Sequence, residues 1–305
     1  MGAPSPSAPI ALPGMDAAVL NPLAPAPRGA WSGRGVRVTR RRGLHRRHTD
    51  KDAVCTTRFC AQRIGSLLTV EHNLTPDELC DELAVVLAEQ LVDTGALRGQ
   101  TEFELVFTGI IRSTVDGGLP AWLRFYRNSL SKLESGSTPF APIHTWAAGQ
   151  IQGHRVLDLG SCFGFFPLRL ARRGIHVVAT DLNGSTMHLL KKVSTELRRP
   201  LTTMTCDATD VPLTDRSADT VTALHLIEHL ESDAIEAVLD EAVRLARRRV
   251  VVAVPFEETP RECYGHIQRF DLSVLQRLAQ AVARRHSGIS ARTYEFHGGW
   301  LILDR

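Results

Sequence analysis

No stretch of this chain is apolar for long enough to cross a bilayer, and proline breaks residues 8–20 too often for a secretory core. The expectation is a cytoplasmic protein with no membrane partner. No two of the six cysteines stand as C-x-x-C, and Cys55 and Cys60 are too isolated for a zinc framework. Free thiols are expected. Residues 1–52 lack any long apolar run. Seven prolines crowd among Ala and Gly before position 28, so this part buries too little to offset its ordering entropy and is expected to be a disordered basic tail.

What is present is ample for a fold. The 305 residues are 43% hydrophobic, room for one large or two moderate domains. The net charge of +3 hides an uneven split. Residues 1–52 hold nine Lys/Arg against three Asp, a net +6, which leaves residues 53–305 at −3. The basic run Arg34–Arg47 is a candidate for touching nucleic acid, but the slightly acidic body makes a nucleic-acid partner the weaker expectation.

From Thr75 the pattern is helical. Thr75-Pro76-Asp77-Glu78 is a capping box with Pro at the first helical position; Leu79, Leu83, Val86, Leu87 and Leu91 come after it at helical spacing, and Gly95 stops the run. Further helices are expected over Glu102–Ser113 and Leu119–Leu133. Three helices without strands predict a helical cap over residues 53–149, on the substrate side of the 150–305 region.

From residue 150 strands and helices alternate, which argues a parallel sheet with crossover helices. Strands are expected at Arg155–Leu159, His176–Thr180, Thr202–Cys206, Asp219–His225 and Val250–Pro255. Helices are expected at Gly164–Gly174, Ser185–Leu197, Asp233–Arg248 and Asp271–Ala283, with Thr293–Phe296 and Trp300–Leu303 closing the sheet as an antiparallel pair. The first strand runs into Gly160-Ser161-Cys162-Phe163-Gly164, small residues that let a ligand approach backbone N–H groups at a helix start. Asp181 ends the second strand 17 residues after Gly164, close to the spacing at which an acidic side chain accepts hydrogen bonds from ribose hydroxyls.

The run Asp158-x-Gly160-x-Cys162-x-Gly164 resembles the acidic-x-G-x-G-x-G motif of class I S-adenosylmethionine-dependent methyltransferases, with Cys162 where the middle glycine usually stands. The resemblance covers 150–305. It implies a Rossmann-like, doubly wound, mostly parallel seven-stranded α/β sheet, S-adenosylmethionine as cofactor and S-adenosylhomocysteine as product. It also implies cofactor contacts from Asp158, Gly160, Ser161, Cys162, Gly164, Asp181, Leu182, Asp207, Ala208 and His225. Cys162 is expected to need an ordinary backbone conformation and so to reshape the turn.

Three stretches, 159–165, Tyr264–Leu272 and His297–Leu301, together with the Cys55–Cys60 region, resemble the mycofactocin oligosaccharide methyltransferases of actinobacteria. That likeness implies O-methylation of a glucose, hence a small or glycosylated acceptor. An oxygen acceptor is a poor nucleophile until its proton is removed, so a general base is expected near the fourth strand's end. His229 is the first candidate, its ordinary pKa lying near neutral, with His225 and Glu228 after it. Glu257, Glu258, Tyr264, His266 and Phe270 form a second set after the fifth strand, with His266 a candidate base or a holder of a substrate hydroxyl. Base-amino and cytosine-carbon methylation lack their marks, because Leu224-His225-Leu226-Ile227 carries no paired prolines and Cys263 follows Glu262 rather than Pro. No metal-ligand set can be assembled; Asp210 and Asp215 read as loop residues. The alternatives are an O-methyltransferase of a quinone, polyketide or other hydroxylated metabolite, and a noncatalytic S-adenosylmethionine-binding protein.

Overall fold

The computed structural model describes residues 21–41 and 53–305. Two sheets organise them. The smaller has five strands: β1 (Ala30–Gly33), β2 (Val36–Arg40), β3 (Ala53–Cys55), β4 (Phe59–Ile64) and β5 (Leu67–His72), in the order β1-β2-β5-β4-β3. Only β2 and β5 run parallel.

This sheet corrects two expectations. Residues 21–41 are not a featureless tail: Trp31, Val36 and Val38 alternate inward and are buried, as period-two burial demands. The strand signal is short, and the proline- and arginine-rich composition around it hides it. Long-range bonds fix the segment. The Arg112 guanidinium donates to the carbonyls of Pro22 and Ala24, and the Trp122 indole donates to Pro22 at 2.7 Å. Within the basic run, Arg40 donates to the Leu74 and Thr114 carbonyls and Arg41 pairs with Glu71. Residues 1–20 and 42–52 of the expected tail lie outside the described residues. The second correction is that the 53–149 region is not purely helical, since β3, β4 and β5 open it. Cys55 and Cys60 face each other across β3 and β4 with Cα atoms 4.1 Å apart and form a disulfide, against the expectation of free thiols. Cys80, Cys162, Cys206 and Cys263 are free.

The capping box at Thr75 holds, but only over a 3₁₀ turn, Pro76–Glu78. The chain breaks before α1 (Leu83–Leu87), which widens into a π turn over Ala88–Val92. Helix α2 (Gly99–Thr114) lies across β1 and β2, where a Cβ on Gly109 would strike Val38 and Trp31. Helix α3 (Gly118–Ser135) ends at Gly136 in the left-handed conformation. Helix α4 (Ala141–Gln150), which no sequence signal announced, leads into the larger sheet.

That sheet holds β6 (Arg155–Leu159), β7 (His176–Asp181), β8 (Thr202–Thr205), β9 (Ala218–Leu224), β10 (Ala246–Val254), β11 (Ser290–Glu295) and β12 (Gly299–Asp304), in the order β11-β12-β10-β9-β6-β7-β8. All pairings are parallel except those of β12. The expected doubly wound seven-stranded α/β sheet is therefore the observed one. Its crossover helices are α5 (Phe165–Arg172), α6 (Gly184–Glu196), α7 (Ser232–Leu245) and α8 (Leu272–Arg285). Residues 246–248, expected to be helical, belong instead to β10: Ala246 pairs with Ala218, and the strand outcompetes the helix end.

Alternate residues of the central strands feed opposite faces. Leu157, Val221, Val250 and Val252 pack under α7 and α8; Val156, Val177, Val251 and Ala253 pack under α4 and α5. A third core joins the small sheet and α1–α3 to Phe165, Leu168, Met187 and Leu190 of α5 and α6. Among the described residues no helix is long and apolar enough to cross a membrane.

Candidate active site

The sheet order reverses between β6 and β9. Ligands of doubly wound sheets sit beyond the carboxyl ends of the strands at such a reversal. The turn after β6 has the shape this requires. Gly160 has φ 65°, and a Cβ there would lie 2.6 Å from Leu226, the residue that comes two after the end of β9. Gly164 caps α5 at φ 69°, where a Cβ would strike Leu190. Between them Cys162 has φ 48°. The expectation of an ordinary conformation at Cys162 is wrong: this residue takes the left-handed form a glycine would take, and its N–H donates to the Asp181 carboxylate at 2.8 Å.

Asp158 sits beneath the turn. It is buried, with one oxygen accepting from Ser161 Oγ at 2.7 Å and the other from Thr222 Oγ1. Burial pushes its carboxyl up to about 6, against the pull of those two hydroxyls. Asp158 thus shapes the turn from inside. Asp181 accepts from Cys162 and from the Asn183 N–H at 2.8 Å, and burial raises its carboxyl. The next residue, Leu182, is an exposed apolar side chain. Asp207, past the end of β8, turns one oxygen onto the Thr209 N–H and hydroxyl, with Ala208 half-buried beside it.

Phe163 ties this turn to the N-terminal helices, its ring lying 5.3 Å from Phe125 and 5.8 Å from Trp122. Trp122, Phe125 and Tyr126 are core, as their helical spacing suggests. The Tyr126 hydroxyl is buried with no partner. The arrangement fits S-adenosylmethionine on these observations: a turn in which side chains are excluded at Gly160 and Gly164, a carboxylate at the next strand end, an apolar side chain exposed beside it, and an orphaned hydroxyl.

At the end of β9, His225 has φ 55° and places Nδ1 3.3 Å from Glu228 Oε1; its Nε2 is buried without a partner. Glu228 is 0% exposed, and neither of its carboxylate oxygens has a hydrogen bond. His229 Nδ1 lies 3.1 Å from the Gly265 carbonyl, and burial lowers the imidazole's pKa although Glu228 opposes this. His266 Nδ1 lies 2.8 Å from Glu257 Oε2, and the His229 and His266 rings are 4.8 Å apart. Ligating atoms of Glu228, His229 and His266 all fall within 4.8 Å of one another.

The structure therefore brings together His229, Glu228, His266, Glu257 and Tyr264. It sets apart Phe270, which is core, and Glu258, which faces solvent. Asp210 and Asp215 are exposed loop residues, as expected. Two acids escaped the sequence reading. Asp81 is pushed up to about 6 by burial and by Glu82, with His225 pulling the other way. Glu104 is raised by burial and accepts from Gln100 at 2.8 Å. Asp81 falls within what reads as one continuous helix, and nothing in its neighbours marks it.

Residues 157–254 match the family described as "Methyltransferase domain". No curated protein matches the chain significantly. Among solved structures it is similar to the magnesium protoporphyrin IX methyltransferase of Synechocystis PCC 6803 with bound S-adenosylmethionine (19% identity, TM-score 0.43, covering 61% of this chain and 83% of that one). It is also similar to a SAM-dependent methyltransferase from Aquifex aeolicus (16%, 0.43, 58% and 97%) and to one from Methanosarcina mazei (15%, 0.42, 52% and 96%).

Proposed function

We propose that this chain, which carries an S-adenosylmethionine-dependent methyltransferase domain at residues 157–254, methylates a hydroxyl oxygen, and that the acceptor is a glucose of the mycofactocin oligosaccharide. The observation that carries the oxygen assignment is the trio Glu228, His229 and His266, where the loop after β10 meets the turn after β9.

The bound cofactor supplies a methyl group already activated on a sulfonium. What remains for the protein is to position the acceptor and deal with its proton. Asp181, Asp207, Leu182, Ala208 and the Gly160–Gly164 turn hold the cofactor, with His225 at the sheet reversal. His229 meets the acceptor side. Its Nδ1–H donates to the Gly265 carbonyl, which leaves Nε2 with a free lone pair. Burial keeps that imidazole neutral near pH 7, ready to receive a proton.

Support for the sugar comes from placement. Of the stretches resembling the mycofactocin enzymes, Tyr264–Leu272 brings His266 to the trio. His297–Leu301 turns beside the end of β10, where a Cβ on Gly298 would lie 2.5 Å from the Val254 carbonyl oxygen. The case for a noncatalytic binder rests on Cys162 distorting the turn, and Cys162 takes the glycine-like conformation.

The test is mass spectrometry of the full chain with S-adenosylmethionine and a panel of glucose oligosaccharides, glycosylated redox-cofactor extracts, and hydroxylated quinones and polyketides. Gain of one methyl on the glycosylated material is the expected result; gain only on quinones or polyketides would reassign the acceptor. His229→Ala is expected to lower turnover by about 10²–10⁴-fold with cofactor affinity by calorimetry nearly unchanged. Equal turnover in variant and parent would move the role to His266.

A further inference from the structure

Glu228 presents an unusual situation. Its side chain is wholly buried, yet neither carboxylate oxygen accepts a hydrogen bond, and the nearest basic group, His225 Nδ1, stands 3.3 Å away without bonding geometry. A buried carboxylate in that state is costly unless a cation completes its surroundings. Two imidazoles converge on it, and each is fixed from behind. His229 donates through Nδ1 to the Gly265 carbonyl, and His266 donates through Nδ1 to the Glu257 carboxylate. In both rings the remaining nitrogen, Nε2, is left as a lone-pair donor. Metal-binding histidines are oriented by such outer partners, a carboxylate or a backbone carbonyl on the far nitrogen.

The three residues come from separate parts of the chain, yet the backbone holds them together. The N–H groups of Ile267 and Gln268 both donate to the Glu228 carbonyl, at 2.9 and 3.1 Å, so the loop carrying His266 is bound to the turn carrying Glu228 and His229. The loop is held from the other side by Arg261 on Asp93 and by Tyr264 against Phe103. The ligating atoms lie within 4.8 Å of one another, somewhat wider than the roughly 3 Å kept by ligands around one small divalent ion.

We propose that Glu228, His229 and His266 bind a divalent first-row cation, with Glu257 as a positioning residue, and that the cation's open positions take two neighbouring hydroxyls of a sugar acceptor. Two nitrogens and one carboxylate suit ions from Mn²⁺ to Zn²⁺ better than Ca²⁺, and three protein ligands leave room for substrate. The acceptor part rests on the sugar reading above. A hydroxyl on such a cation loses its proton to water more readily, and the oxygen keeps the electron pair that forms the new bond to the methyl carbon as the sulfur–methyl bond breaks. With the cation bound, His229 Nε2 is a ligand and the proton leaves to water; without it, the same nitrogen is the base of the reading above.

The test uses the full-length chain, stripped with EDTA and dialysed, and titrated with Co²⁺ while its visible absorption is followed. The expected result is one equivalent bound with a ligand-field band of low-symmetry nitrogen and oxygen coordination. Glu228→Gln and His266→Asn should each weaken binding at least 100-fold, and Glu257→Gln by about 10- to 100-fold. Circular dichroism of each variant separates loss of ligands from loss of fold. Binding equal in parent and Glu228→Gln, or no binding in the parent, overturns the site. Methylation in EDTA without bound Co²⁺ overturns the cation and leaves oxygen methylation standing. One bound Co²⁺ with methylation confined to acceptors that lack neighbouring hydroxyls keeps the cation and overturns the diol.

Discussion

At Cys162 the chain places a side chain where left-handed backbone favours none. With φ at 48°, a non-glycine residue carries roughly 1–2 kcal/mol of strain. The N–H bond to Asp181 and the Phe163 ring set among Phe125 and Trp122 hold the turn against it. Cys162→Gly should therefore relieve strain, partly offset by the greater freedom of glycine in the unfolded chain, for a net gain of up to about 1 kcal/mol. Urea unfolding checks this, and a loss of about 1 kcal/mol or more would mean that the thiol packs usefully. His72 is a second residue whose protonation state is set by its contacts. Its Nδ1 accepts from the Leu74 N–H at 3.2 Å and its Nε2–H donates to Ser113 Oγ at 2.9 Å, so a second proton would break the first bond. Burial, with Arg40 nearby, lowers its pKa to about 3. The folded pKa is below the unfolded value of about 6.5, so the unfolded chain binds the extra proton first, and stability is lost as pH falls from about 6.5 toward 3. The loss between pH 7 and pH 5 should be about 2 kcal/mol smaller in His72→Gln than in the parent, by urea unfolding at both values. Asp158 and Asp81, raised to about 6, act in the opposite sense in both proteins and cancel in that comparison.

At the scale of elements, competition at boundaries decides most departures from the sequence pattern. The apolar positions Leu79, Leu83, Leu87 and Leu91 are all buried, as one helix would require, yet they are spread over a 3₁₀ turn, a break, α1 and a π turn. The break lets the Asp81 N–H donate to Ser129 Oγ at 2.9 Å. The end of α7 yields to β10 for a related reason: Ala246 and Arg249 gain ladder partners on β9 that a longer helix would forfeit. Between the 3₁₀ turn ending at Tyr264 and the start of α8 at Leu272 the loop has no regular structure, and its position comes from bonds to other elements.

For the whole molecule, the N-terminal strands are structural members. Trp31, Val36 and Val38 lie in one core with Val70, Ile110 and residues of α5 and α6, so the small sheet and the helices of the larger sheet are packed into a continuous body. Burial of each such side chain contributes about 1.5–3 kcal/mol, and removing three of them approaches the whole stability of an ordinary domain. Deleting residues 1–41 should lower the thermal midpoint by many degrees or leave the chain insoluble. An unchanged midpoint by calorimetry would return the segment to the role of a dispensable tail.

Local signals in the chain were enough to specify the larger sheet. Strand ends at Leu159, Asp181 and Leu224 fall within a residue of where the apolar runs and glycine turns place them, because period, turn chemistry and burial agree locally there. The Gly160–Gly164 turn was legible for the same reason, and Glu228, His229 and His266 stood out as candidates by residue type. Folding in three dimensions was needed to establish that β1 and β2 exist, that Cys55 meets Cys60 and that α4 bridges the two parts. Each of these depends on partners distant in sequence or on a boundary where local preference is weak. The convergence of His266 on Glu228 is of that kind: it comes from two N–H groups of one loop reaching the carbonyl of another turn, bonds that local periodicity does not encode.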